Sequence, residues 1–354
     1  MHPAPAGIEP PHPYRARIRP VPPGTARPLW SVMIPTYHCA AYLRETLESV
    51  LAQDPGPDDM QIEVVDDHST RDRPEAVVAE IGRGRVGFHR QERNVGHVRN
   101  FETCLQRARG RWIHLLHGDD LVGPGFYARM TAAFEAAPEI GAAFCRAIYV
   151  DEQGRATGYT PMERPESGVL ENAVERLALE QRIMTPSIVV RRDVYEALGG
   201  FDTRLRCSED WEMWVRVAAA YPIWYQAEPL AMYRMHPDSN TGRHIRSGED
   251  ILFTRLAIDI FERYLPRASA SRIARAARET YAMAAVDMAR TLARRGDRVG
   301  MGAQIRAAIG CSRSPRVLWR ATRLLARAAG SSLAAAAGAG RRGGGPDRGE
   351  GAAR

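Results

Sequence analysis

The chain contains no lysine: all 49 of its basic residues, in a length of 354, are arginine. That bias reads as a property of the coding sequence and carries little functional weight. Cysteine is scarce, with five scattered residues, an odd number, and no C-x-x-C pair. A zinc site and a disulfide framework are therefore disfavoured, and a reducing compartment fits. No run of 18 apolar residues occurs, so no membrane span is predicted. The first residues lack the apolar core of a signal peptide, and a cytoplasmic location is expected. Two nucleotide-binding signatures are also missing. No G-x-G-x-x-G follows the first strand pattern and no G-x-x-x-x-G-K-[ST] occurs, which disfavours dinucleotide and P-loop sites.

Hydrophobic residues make up 44% and charged residues 26%, enough for a sizeable core. Charge is unevenly placed. From Arg263 onward nineteen arginines face five acids, so the residues before it carry about −7 although the whole chain is +7. An acidic body with a basic C-terminal part implies an anionic partner for that part. No nucleic acid is expected among the partners.

The most informative stretch is Gly110–Leu121, G-R-W-I-H-L-L-H-G-D-D-L. Trp112, Ile113, Leu115 and Leu116 form an apolar run of buried-strand length, ending in Asp119-Asp120. Two adjacent carboxylates at the end of a buried strand are costly unless a cation or hydrogen-bond donors compensate them. The C-terminal edge of an open α/β sheet is where ligands bind, and paired oxygens there suit a hard divalent cation. A polar turn closing the strand is the plain alternative.

Upstream, eight of the first 23 residues are proline, and residues 1–28 read as a flexible, disordered leader. Trp30–Ile34 reads as a strand stopped by Pro35, followed by a turn with Tyr37 and a helix with Leu43, Leu47, Val50 and Leu51 on one face. Ile62–Val65 is a second strand, ending in Asp66-Asp67. Further strand and helix patterns follow at Val86–His89 and Val98–Ala108. The strand, polar turn, helix rhythm predicts an α/β, Rossmann-like, mostly parallel sheet flanked by helices. A hairpin is expected around Asp151–Gly154, a helix closed by Gly199-Gly200, and a last strand at Leu230–Arg234. In S-E-D-W-E-M-W, Ser208 fits a helix N-cap, and Glu209 and Asp210 fit the positive end of the helix. Ala/Arg-rich helices follow from Glu249, and the chain ends in a low-complexity tail.

Four pieces then stand in order: S-V-M-I-P-T-Y, E-V-V-D-D-H-S-T, N-V-G-H-V-R-N…L-L-H-G-D-D, and L-G-G-F-D…S-E-D-W-E-M-W-V-R. Together they resemble the family 2 glycosyltransferases of the A-type fold, over about 60% of the chain, Leu29 to His236. The resemblance implies a catalytic domain at 29–240, and composition adds a helical C-terminal region at 241–335 and a disordered tail at 336–354. It implies that the turn Pro35, Thr36 and Tyr37, with Asp67 and Asp119, holds the nucleotide of a nucleotide-sugar donor. Asp120, joined by His236, would bind a divalent metal (Mg or Mn), and Asp210 would be the catalytic base. The reaction implied is inverting transfer of one sugar to an acceptor hydroxyl on a saccharide or lipid-linked saccharide.

Two departures matter. Gly118-Asp119-Asp120 replaces the usual D-x-D spelling, and the Q-x-x-R-W motif of processive synthases is missing, so a single addition is expected. The chemistry agrees independently: a departing diphosphate needs a cation and an acceptor hydroxyl needs a base. The alternatives are a non-catalytic scaffold that binds nucleotide-sugar or glycan, and a nucleotidyltransferase. The latter usually has a Gly-rich basic loop after the first strand, and Pro35–Ala41 has neither Gly nor Arg. Finally, Arg316, Arg320, Arg323 and Arg327 fall on one helical stripe with apolar residues beside it. That pattern suits peripheral attachment to an anionic membrane surface, or packing on the body with a solvated Arg face.

Overall fold

The computed structural model describes residues 12–236 and 244–340, and side chains up to 328. The elements run β1 (Trp30–Thr36), α1 (Ala40–Leu51), β2 (Met60–Asp66), α2 (Pro74–Gly82), β3 (Gly87–Arg90), α3 (His97–Arg107), β4 (Trp112–Leu115) and β5 (Leu121–Val122). Then come α4 (Phe126–Ala136), β6 (Ala142–Val150), β7 (Ala156–Tyr159), β8 (Gly168–Val169), α5 (Ala173–Leu179), β9 (Ile188–Arg191), α6 (Arg192–Leu198), α7 (Glu209–Ala220) and β10 (Ile223–Arg234). Then come the helices α8 (Glu249–Phe261), α9 (Ala270–Arg294), α10 (Arg298–Cys311) and α11 (Pro315–Gly340).

The strands form one mixed sheet in the order β3-β2-β1-β4-β9-β6-β10-β5, with β7 on β6 and β8 on β10. Pairing is parallel through β3, β2, β1 and β4, as the strand–helix rhythm requires. Beyond β4 it is mixed: β9 runs antiparallel between β4 and β6, while β6 and β10 are parallel. The expected hairpin is β6–β7. Val32, Ile34, Ile62 and Val64 alternate toward Leu43, Leu47 and Val50 of α1, and this group is buried as one core. β1 continues through Pro35 to Thr36. Proline lacks a ladder N–H, but its carbonyl still accepts from Gly118 N–H at 3.1 Å.

Register fixes the site. Thr36 lies opposite Asp66, and Met33 opposite Leu115, so the ends of β1, β2 and β4 coincide. The turns after all three strands therefore open on one sheet edge, and the acid pairs 66–67 and 119–120 with them.

Part of the leader is ordered. Over residues 12–28 the chain lies along the body: Ile18 is buried, Arg15 bridges to Asp202, and the carbonyls of Arg17 and Arg19 accept from Gln106 and Arg192, each at 2.7 Å. A proline-rich extended strap needs no internal hydrogen bonds, so external donors can fix it. Residues 1–11 lie outside the described residues. The tail expected to be disordered from 336 begins within α11, and 341–354 lie outside the described residues.

The chain divides into two compact units. One holds the residues up to His244 together with Phe253–Ala277; the other holds Ile245–Leu252 and the residues from Arg278 on. This differs from a single cut after residue 240. The end of α8 and the start of α9 pack with the first unit, through Trp211 on Phe261 and Ser269 Oγ donating to Glu175 at 2.6 Å. The second unit has its own core, including Ala282, Val286, Ala289, Ile305, Ala308, Val317 and Ala321. Among the described residues no helix is long and apolar enough to cross a membrane.

Candidate active site

The turn after β4 is built on a glycine. A Cβ at Gly118 would lie 2.7 Å from Thr36 Oγ1 and 3.0 Å from Cys39 Sγ. Only the bare backbone lets the acid turn press against the turn after β1. The two acids then part company. Asp120 is buried; its Oδ1 accepts the Arg234 N–H at 2.8 Å, and its buried Oδ2 has no hydrogen-bond partner. That Oδ2 stands 3.5 Å from His117 Nδ1. Asp119 is about a quarter exposed, and His236 Nε2 lies 3.0 Å from its Oδ2.

Arg234, itself buried, ties the turn down. Its Nε donates to Asp119 O at 2.9 Å, Nη1 to Glu152 O at 3.0 Å and Nη2 to Glu45 Oε2 at 2.7 Å, and its guanidinium lies over the Tyr42 ring. Thr46 Oγ1 donates to Asp120 O at 2.8 Å. The charges follow these surroundings. Burial pushes Asp120 up to about 6, opposed by His117. Burial also opposes Asp119's ionisation, but the His236 hydrogen bond and the charges of His117 and His236 outweigh it and hold Asp119 low. His117 is penalised by burial, yet the Asp120 carboxylate 3.5 Å away raises it to about 9.

His117, Asp119 and Asp120 each offer a ligand atom, all within 4.8 Å of one another. The unpartnered Oδ2 of Asp120 and the unpartnered, buried Nε2 of His117 are what a cation site leaves when its donors have no other role. Oxygen ligands with one imidazole suit Mg²⁺ or Mn²⁺. The residues thus fit a divalent ion, but with His117 in the trio. His236, expected beside Asp120, stands on Asp119 and rests against Tyr42.

The nucleotide-binding residues expected from the resemblance share this edge. Pro35 and Thr36 are buried, and their carbonyls are used by Gly118 and Asp67. Tyr37 is 38% exposed, with its ring on His38, a residue held at φ 54°. Asp67 is engaged within the chain itself. Its two carboxylate oxygens accept the N–H groups of Val95 (2.7 Å) and Gly96 (2.9 Å), fixing the turn before α3. Burial raises it and those two bonds oppose the rise.

The third group stands at the start of α7. Ser208 does not cap this helix: it is in the left-handed region, its side chain makes no cap bond, and its Oγ pairs with Thr254 Oγ1 at 3.1 Å. Asp210 Oδ1 accepts the Trp211 N–H at 2.8 Å. Its Oδ2 accepts from Gln181 Nε2 at 2.7 Å and Thr185 Oγ1 at 3.2 Å. Burial, then the charge of Glu209, pushes Asp210 up to about 7. Glu209 is buried and pairs with His97 Nε2 at 3.1 Å. Burial opposes its charge, but His97 outweighs it and Glu209 is held low. The two neighbouring carboxylates are thus shifted in opposite directions. The His97 ring meets Phe101 edge-on, and Phe101 stacks on His117 at 5.2 Å, so aromatic contacts join this group to the acid turn.

His97, His117, Gln181 and Thr185 were not among the expected site residues. The two histidines had a signal, since each sits inside a motif already singled out, N-V-G-H and H-G-D-D. Gln181 and Thr185 had none, arriving from a loop with no pattern of its own.

The chain is similar to known proteins in sequence and in fold. The sequence model described as Glycosyl transferase family 2 matches residues 31–199. An uncharacterized protein of Mycobacterium tuberculosis is 30% identical over 238 residues, covering 64% of this chain and 73% of the relative. An uncharacterized glycosyltransferase of Methanocaldococcus jannaschii is 26% identical over 213 residues, 59% of this chain and 71% of the relative. Among solved structures, S. aureus TarS in complex with UDP-GlcNAc superposes with a TM-score of 0.59 at 16% identity, over 79% of this chain and 90% of that one. The mannosyltransferase PcManGT from Pyrobaculum calidifontis, in complex with GDP-Man and Mn²⁺, gives 0.53 at 20% identity, over 89% and 83%. At these identities the structural likeness shows the fold.

Proposed function

The chain belongs to glycosyl transferase family 2, an enzyme family that transfers sugars, and from this premise we propose a metal-dependent, inverting, single-addition transfer. The donor is a nucleotide-diphosphate sugar, and the acceptor is a hydroxyl of a saccharide or lipid-linked saccharide. One observation carries the reading. Asp210, outside the acid trio at the start of α7, has its carboxylate oriented by Gln181, Thr185 and the Trp211 N–H and is pushed up to about 7 by burial, as suits a general base. The solved neighbours bound to UDP-GlcNAc and to GDP-Man with Mn²⁺ support the donor class.

In this reading Pro35, Thr36, Tyr37 and Asp67 form the nucleotide pocket, with Asp119 beside it. His117, Asp119 and Asp120 would hold a divalent cation, whose charge stabilises the departing diphosphate. His236 orients Asp119 through its hydrogen bond. Asp210 takes the acceptor's proton as the acceptor oxygen bonds to the anomeric carbon. The bond from that carbon to the phosphate oxygen breaks, its electron pair leaves with the nucleoside diphosphate, and one displacement inverts the centre.

The test uses the full chain and a panel of nucleotide-sugars, with thermal stabilisation and transfer read with and without Mg²⁺ or Mn²⁺. Asp210→Asn should keep donor binding and lose about 10²-fold or more in turnover. Asp120→Asn should lose metal-dependent stabilisation and transfer while still accepting the Arg234 N–H, so it should fold. Full turnover in Asp210→Asn, or its melting with loss of binding, would assign Asp210 to the helix start alone.

A further inference from the structure

The second unit carries a surface that sugar transfer leaves unexplained. Between Asp297 and Asp347 the sequence has nine arginines and no acidic residue. α11 lies in this segment. Its inner side is settled by packing: Val317 and Ala321 are buried in the unit's core, and Leu324 and Ala328 pack against it. These occupy one arc of about 60° at about 100° per residue. This apolar arc is therefore covered by the unit's own core.

A second apolar stripe remains. Leu318, Trp319 and Leu325 are 39%, 59% and 44% exposed, and with Thr322 and Ala326 they fill a further arc of about 120°. Arg323, Arg316 and Arg327 follow on the arc next to Trp319. Arg323 lies over the Trp319 ring, its guanidinium 5.0 Å from the centroid. Arg320, nearer the buried arc, pairs with Asp287 at 3.5 Å.

We propose that α11 docks the protein on an anionic bilayer surface, with Leu318, Trp319 and Leu325 entering the headgroup boundary and Arg316, Arg323 and Arg327 facing lipid phosphates. Two features select this partner. A segment free of acids is complementary to a negative surface. A tryptophan beside leucines, flanked by arginines, matches the layered polarity of a membrane interface, whereas a nucleic acid would use the arginines and leave the leucines in water. This inference does not depend on the transfer reaction.

The experiment is co-sedimentation of the full chain with phosphatidylcholine vesicles, with and without about one third phosphatidylglycerol. Binding should require the anionic lipid and weaken as salt rises. Trp319→Glu should cut vesicle affinity by about tenfold or more, and Arg316→Glu with Arg323→Glu by about 25-fold, from roughly fivefold per arginine. These exposed substitutions should leave the melting temperature and transfer to a small water-dissolved acceptor unchanged. Four results would overturn the proposal: no binding to anionic vesicles; equal binding to neutral ones; wild-type binding by either variant; or a solution dimer in ultracentrifugation that Trp319→Glu breaks. Tighter, Trp319-independent binding to an RNA homopolymer would reassign the arginines to nucleic acid.

Discussion

The neighbouring carboxylates Glu209 and Asp210 give the sharpest test of the chemistry. Asp210 stands about three units above an ordinary aspartate, an energy of about 4 kcal/mol. Burial is the largest cause and Glu209's charge the second, so Glu209→Gln removes only part of the rise; we take about one unit, or about 1.4 kcal/mol. A base works ionised, so kcat/KM of the wild type should fall about tenfold per pH unit below about 7. In Glu209→Gln that limb should move toward about 6. At pH 6 the wild type keeps about a tenth of Asp210 ionised and the variant about half, a gain of about fivefold relative to each plateau. Gln keeps the size of Glu and a polar end facing His97, so the turn should hold. The assay is initial-rate transfer at saturating metal across pH 5 to 9. A limb that stays put would refute the electrostatic coupling. Loss of all activity in Glu209→Gln, with Asp210→Asn still active, would make Glu209 the base.

Three further perturbations probe the surroundings. Gln181→Ala removes a 2.7 Å donor to Asp210's carboxylate, so the same acidic limb should shift upward by about half a unit to one unit with donor affinity unchanged; an unmoved limb would reduce Gln181 to a packing role. Gly118→Ala drives a Cβ to 2.7 Å from Thr36 Oγ1, and should cost about 1–3 kcal/mol in denaturant unfolding and reduce metal affinity; a variant indistinguishable from wild type would mean the turn is not tightly seated. His114 is fully buried, its Nε2 3.0 Å from Pro186 O, and burial lowers it to about 4. Because its folded value lies below its unfolded value, its contribution is complete above pH about 6.5 and is lost as pH falls toward 4, by about 3 kcal/mol. The stability gap between wild type and His114→Phe should shift by that amount across this window, and a constant gap would show that His114 does not titrate there.

Much of the fold was legible because it rests on local signals. Buried strands ending in acid pairs at Asp66-Asp67 and Asp119-Asp120 gave the parallel half of the sheet and its functional edge. The antiparallel insertion of β9 was not legible, since nothing in I-V-V-R states which neighbour it joins. Ser208 looked like a cap by residue type, but a left-handed backbone turned its hydroxyl to Thr254. The proline-rich leader read as unfoldable because its hydrogen-bond partners, Gln106 and Arg192, lie far along the chain. The site shows the same division. Asp120, Asp119 and Asp210 came from motifs, whereas Gln181 reaches Asp210 from 29 residues away through a loop, a contact only the folded chain specifies.

Arg234 has a consequence for the order of events during synthesis. The Asp119–Asp120 turn leaves the ribosome well before its clamp, because the Arg234 N–H that meets Asp120 comes 114 residues later. At about 5–20 residues per second that interval lasts on the order of ten seconds. Until β10 docks, two adjacent carboxylates sit at a strand end without their buried donor, and their mutual repulsion opposes closure of that edge. The last strand of the sheet is therefore the step that arms the enzyme. A nascent chain stalled before residue 234 should hold the β1–β4 scaffold without a settled acid turn.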